Sequence, residues 1–81
     1  MRLDKFLKVS RIIKRRTVAN SVSEMGRVLV NGQNAKPAKQ LKAGDIIEIE
    51  YSNRTEKVRV LKVPEGNVSI QEADTLYENI E

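Results

Sequence analysis

Gly26-Arg27-Val28-Leu29-Val30-Asn31-Gly32 is the stretch that decides the fold. Asn-Gly is the strongest short hairpin signal, because both central positions of the tightest turns need positive φ and these two residues tolerate it. Val28, Leu29 and Val30 lead into it with strand-forming side chains. On the other side, Gly26 stands where the C-terminal stop of a helix is expected. The chain therefore changes from a helical to a strand period at this point.

Upstream, Leu3, Phe6 and Leu7 recur at i, i+3 and i+4, which predicts a short helix over roughly residues 3–9. Asp4 and Lys8 are spaced to pair along it. Ile12 and Ile13 are expected to pack beneath the turn that follows. Thr17 is placed to cap a second helix through its hydroxyl, without a capping box, because Asn20 is neither Glu nor Gln. Val18, Ala19, Val22 and Met25 form the apolar stripe predicted to face the core.

Downstream, Ala43-Gly44-Asp45 makes a turn, and Ile46 to Tyr51 reads as a strand with a buried side. Ser52-Asn53-Arg54 reverses the chain into a return strand from Thr55 to Val63. Alternation holds at Val58 and Val60 and slips at Leu61 and Val63, which predicts a bulge or the end of pairing. Pro64 ends the strand, and Gly66-Asn67 marks a turn before Val68 and Ile70. Residues 71–81 carry Glu72, Asp74, Glu78 and Glu81 and no basic residue. Ala73, Leu76, Tyr77 and Ile80 could line one helical face, so this segment is expected to be a short docked helix or a frayed tail. Two helices followed by a small antiparallel sheet is an α+β pattern.

The chain has 81 residues, enough for one small domain with a modest core. It lacks Cys and His, so the thiolate ligands and the commonest base and metal ligand at neutral pH are missing. There is no phosphate loop of the GxxxxGK type and no Ser/His/Asp set. Glu48 and Glu50 share one face of a strand and read as a solvated edge. An enzyme is not expected, nor is a cofactor or a metal. No apolar run approaches the roughly 20 residues of a membrane span, and MRLDKFLKVS at the N-terminus lacks a signal-peptide apolar region. The expected location is the cytoplasm.

Charge is segregated. Residues 1–42 hold eleven Lys or Arg and two acids, a net +9, while residues 43–81 hold four and nine, a net −5, which together give the chain's +4. Neutralisation within the fold is the bland account of such a bipolar chain. A polyanionic partner for the first half explains it better. Arg2, Lys5 and Lys8 recur at steps of three and can share one edge of the first helix. Arg11, Lys14, Arg15 and Arg16 cluster where the two helices approach. Phosphate binding asks for several cations on rigid elements, each releasing condensed counterions, and Arg adds a fork that meets phosphate bidentately. The start of the second helix also offers free N–H groups beside Arg16. The competing account is a solvated helix face, with only Asp4 near enough to neutralise it. Asn31, Gly32, Gln33, Asn34, Lys36 and Lys39 form a second, weaker set, a hairpin tip and loop able to reach sugars, phosphates or base edges, with Asn31, Gln33, Lys36 and Lys39 its candidate contacts. Aromatic residues are few, Phe6, Tyr51 and Tyr77. That disfavours stacking of unpaired bases and favours reading folded RNA by shape and backbone.

With these residues in view, the chain resembles a known family. RLDKFL at 2–7, Arg11, Arg16 opening a helix, GRVLVNG at 26–32, KPAK at 36–39 and GDIIEI at 44–49 look like the RNA-binding domain of ribosomal small-subunit protein S-four, the αL motif. The likeness covers about residues 1–51 in the right order. Within the family it is most similar to the stand-alone heat-shock-protein-fifteen-like group, in its short form from ribosome-associated quality control. The resemblance implies two antiparallel helices on a small, bent antiparallel sheet over residues 1–63, with a C-terminal extension over 64–81. It implies a monomer that binds the large ribosomal subunit after a stalled ribosome has split. There it would contact large-subunit ribosomal RNA and peptidyl-site tRNA while a quality-control factor recruits alanyl-tRNA and extends the stalled chain. Arg2, Arg11 and Arg16 are then the principal RNA contacts, supported by Lys5, Lys8, Lys14 and Arg15. An aromatic common near Lys8 in the group is absent here, and a short acidic tail stands in place of a long basic extension. The alternatives are a general ribosomal-RNA-binding or assembly factor, an accessory domain of the kind appended to pseudouridine synthases and a tRNA synthetase, and a small DNA-binding protein.

Overall fold

The computed structural model describes residues 1–66 and 68–80. Helix α1 spans Leu3–Val9 and α2 spans Arg16–Glu24; strands β1 (Val28–Val30), β2 (Gln33–Asn34), β3 (Ile46–Glu50) and β4 (Thr55–Val60) follow, then one helical turn, α3 (Ile70–Ala73), and strand β5 (Tyr77–Asn79). The strands form one antiparallel sheet in the order β2-β1-β3-β4-β5. The α+β class is as expected.

Alternation in the strands sets the core. Val28, Val30, Ile47, Ile49, Val58 and Val60 are buried, and Leu3, Phe6 and Leu7 of α1 and Ala19 of α2 cover them. Ile13 is buried and Ile12 packs against the cluster, so the turn between the helices closes the core as the sequence suggests. Asn31 and Gly32 take positive φ, 54° and 83°, and close the β1–β2 hairpin. Gly26, at φ 77°, ends α2 with paired bonds from its own N–H to the Ser23 carbonyl and from Arg27 N–H to the Val22 carbonyl.

Several expectations need correction. Helix α2 begins at Arg16; Arg15 is the extended residue before it, no side chain caps it, and Thr17 lies inside the first turn. The apolar stripe is rotated: Val18 and Met25 are exposed, while Ala19 and Ser23 are buried. Ser23 can be buried because its hydroxyl donates to the Ala19 carbonyl at 2.8 Å. The slip after Val60 marks the end of regular pairing, as the alternation suggests, so β4 stops at Val60 and not at Val63, and Leu61 turns outward. Glu48 is not on a sheet edge: β3 is the central strand, and Glu48 stands opposite Lys57.

The acidic segment forms one turn of the expected short docked helix, with Ala73 buried, and continues as a paired strand rather than a longer helical face or a frayed tail. Ser69 and Glu72 form a capping box around the single turn α3. The chain then buries Leu76 and pairs β5 with β4, Val60 opposite Tyr77 and Arg59 opposite Glu78. Arg59 Nη1 meets Glu78 Oε2 at 2.6 Å across that pair. Of the turn read at Gly66-Asn67, Asn67 lies outside the described residues, as does Glu81. Among the described residues, no helix is long and apolar enough to cross a membrane.

Candidate nucleic-acid interface

The first turn of α1 has backbone N–H groups with no partner inside the helix. The loop carrying Lys36 and Lys39 supplies the missing acceptors: Leu3 N–H donates to the Lys39 carbonyl at 2.8 Å and Asp4 N–H to the Pro37 carbonyl at 3.1 Å. Arg2 bridges to Gln40, and Leu41 N–H donates to the Met1 carbonyl. The KPAK loop is therefore docked against the start of α1, bringing Lys39 beside Arg2, two residues far apart in sequence. Lys36 lies at the other helix, 3.9 Å from Glu24, with both side chains largely exposed. Such a pair contributes little to stability.

Asp4 joins the two helices. Its side chain is 3% exposed, whereas those of Arg2 and Arg16 are 45% and 47% exposed. Arg2 donates through Nε to Oδ1 at 3.2 Å and through Nη2 to Oδ2 at 3.3 Å. Arg16 Nη2 reaches Oδ1 at 3.5 Å, Asn20 Nδ2 reaches Oδ2 at 3.3 Å, and Lys5 N–H donates to Oδ1 at 2.8 Å. Burial pushes the Asp4 carboxyl up, but the Asn20 bond, Arg16, Arg2 and the Lys5 N–H together outweigh it and hold the carboxyl below its ordinary value. The expected pairing of Asp4 with Lys8 does not form; Lys8 is exposed, and Asp4 turns inward to partners from both helices.

An open cavity of about 490 Å³ lies over this pairing, lined by Asp4, Arg16, Thr17, Asn20 and Ser21. Asn20 and Ser21 had no place in the sequence reading of the site. The available signal was an isolated acid in a basic run, with Asn20 four residues after Arg16 on the same helix face.

The other basic residues singled out in the first sixteen positions lie around these two helices. Lys8, Arg11, Lys14 and Arg15 are exposed, and Lys5 is half-buried beside a groove lined by Met1, Val63, Pro64 and Glu65. Arg11 follows α1 with φ 64°, a left-handed conformation that glycine adopts more readily. The hairpin set divides. Gln33 is exposed on the edge strand β2. Both ends of the Asn31 amide are used inside the fold: Nδ2 donates to Asp45 Oδ1 and Oδ1 accepts from Ile46 N–H. Of the aromatic residues, Phe6 is in the core and Tyr51 lies under the Arg54 guanidinium, 4.4 Å from its ring centre.

The chemistry this surface offers is a set of cations around two short helices, two of them held by Asp4 and others exposed, with hydroxyl and amide donors between them. Comparison with known proteins points the same way. A family profile described as S4 domain matches residues 1–47. The chain is 51% identical over 78 residues to the RQC P-site tRNA stabilizing factor of Halalkalibacterium halodurans, covering 96% of this chain and 88% of that protein. It is 49% identical over 80 residues to the protein of the same name from Streptococcus pneumoniae, covering 99% and 90%. Its fold is similar to the trimeric structure of Heat Shock Protein 15 of Vibrio cholerae, with a TM-score of 0.88 and 32% identity over 99% of this chain and 81% of that one.

Proposed function

We propose a function from one premise: the chain belongs to the S4 domain family. The protein is an RNA-binding factor of the ribosome and carries out no reaction of its own. It binds large subunits still obstructed by peptidyl-tRNA in the cytoplasm, as a monomer. It contacts ribosomal RNA and the peptidyl-site tRNA together, and steadies that tRNA while a partner factor brings alanyl-tRNA and extends the stalled chain.

The observation that carries this reading is the arrangement of charge around the two helices. Arg2, Lys5, Lys8, Arg11, Lys14, Arg15 and Arg16 surround α1 and the start of α2, and Asp4, the one acid in residues 2–16, is buried beneath two of them, while Glu24 at the far end of α2 is exposed. Lys39 joins them through the docked loop. Cations outside and their counter-charge inside suit a surface that meets a phosphate backbone. The stalled-chain role rests on the names of relatives matching nearly the whole chain.

Filter binding to tRNA across a salt series tests the RNA-binding part. Affinity should fall steeply with salt, and Arg2→Ala or Arg16→Ala should weaken binding sharply; each also removes one of several partners of the buried Asp4 carboxylate, at a cost of about 1–3 kcal/mol, so affinity is compared per folded molecule. Unchanged affinity in both variants would overturn the reading. Duplex DNA competing as well as tRNA would point to general polyanion binding instead.

A further inference from the structure

We infer that Asp4 is a positioning residue for RNA binding, holding Arg2 and Arg16 side by side so that their guanidiniums meet one phosphate backbone as a pre-assembled pair. The inference rests on the RNA-binding reading above and adds to it the residue that organises the surface, a negatively charged one.

The geometry separates this carboxylate from an ordinary neutralising acid. Arg2 precedes α1 and Arg16 opens α2, yet both reach the same oxygen, Oδ1. Arg2 also spans the carboxylate in a two-pronged pairing, which fixes the plane of its guanidinium as well as its position. The carboxylate is itself anchored by two further donors, Lys5 N–H at Oδ1 and Asn20 Nδ2 at Oδ2. A guanidinium has five N–H donors. Asp4 takes two from Arg2 and one from Arg16, so each keeps donors for phosphate, and each side chain stays about half exposed.

Without Asp4 the two cations would repel each other and their long side chains would sample many rotamers, all of which binding would then have to freeze out. The other buried acid, Asp45, differs. Among the described residues its partners are the Lys42 ammonium, the Lys42 N–H and Asn31, a single cation and no pair.

The two accounts of Asp4 predict opposite signs. If the acid only lowers the local positive potential, its removal strengthens RNA binding. If it positions the arginines, its removal weakens binding although the protein becomes more positive. Asp4→Asn keeps the shape and one acceptor oxygen. The experiment is tRNA titration of the wild type, Asp4→Asn, the Arg2→Ala/Arg16→Ala double variant and the triple variant, with thermal melts confirming the fold.

Asp4→Asn should bind about tenfold more weakly, within the range found for groups sharing one bonded network, and should have no further effect once both arginines are gone. Equal or tighter binding by Asp4→Asn would overturn the inference, as would an undiminished loss in the triple variant. Should Asp4→Asn not fold, Arg16→Lys decides: the charge is kept and the fork is lost, so binding should fall towards that of Arg16→Ala, and full retention would overturn the inference. A wild type that does not bind tRNA would sink the RNA-binding reading itself, whereas wild-type binding with an indifferent Asp4→Asn would sink only the role of Asp4.

Discussion

The side-chain amide of Asn31 donates to Asp45 Oδ1 at 3.1 Å, and Ile46 N–H donates back to Asn31 Oδ1 at 3.0 Å. One residue thus ties the β1–β2 turn to the start of the central strand, while its own φ of 54° suits the turn. Asn31→Ala loses both bonds and places an alanine in the left-handed region. It should destabilise the fold by about 1–3 kcal/mol and leave RNA affinity per folded molecule nearly unchanged. Denaturant unfolding and RNA titration on the same variant check this. Normal stability with lost affinity would make Asn31 an RNA contact instead.

Arg11 sits in the left-handed region just after α1, where glycine is the usual residue. An arginine there costs about 1 kcal/mol of stability, which is consistent with a side chain retained for a contact outside the fold. Arg11→Gly should therefore raise the melting temperature and weaken RNA binding in the same molecule. A variant more stable and equally active would remove Arg11 from the interface.

The local elements were legible in the sequence because their signals are local. Leu3, Phe6 and Leu7 marked α1, Gly26 its neighbour's end, and Asn31-Gly32 the hairpin. What was missed depends on partners distant in the chain. Ser23 is buried through a bond to Ala19 that hydropathy cannot register, so the stripe on α2 was read about one position round. Strand β5 is Tyr77-Glu78-Asn79, a poor strand signal that forms because β4 offers an open edge. In the candidate site, the basic residues were visible individually, but the pairing of Arg2 with Arg16 through Asp4 requires α1 and α2 to be packed together.

The C-terminal segment should be part of the folding unit. Leu76 is fully buried and Tyr77 pairs with Val60. Leu76→Ala should cost about 2–5 kcal/mol, the usual cost for a fully buried leucine. Urea unfolding measures it, and a cost under about 0.5 kcal/mol, typical of an exposed site, would show that the segment is not docked in solution.

Stability should also depend on acid. Asp4 and Asp45 both have their carboxyls held below the ordinary value of 3.8. At Asp45, burial opposes the shift, and the Lys42 N–H, Asn31 and the Lys42 ammonium outweigh it. Their contribution is fully present above the unfolded-state value and is lost as pH falls from about 4 through the lowered folded-state values. Melting temperature should drop over that interval, and an Asp4→Asn/Asp45→Asn variant should show a shallower drop. Identical pH profiles for the two proteins would contradict the assignment.

The measurement that bears most directly on the proposed function is co-sedimentation with purified large ribosomal subunits, empty or carrying peptidyl-tRNA, across a salt series. A protein that steadies peptidyl-site tRNA against ribosomal RNA should bind the tRNA-bearing subunits much more tightly, with a preference that Arg16→Ala reduces and a salt dependence reflecting both RNA backbones. Equal binding to empty and tRNA-bearing subunits would contradict the account and assign the protein to general ribosomal-RNA binding or assembly.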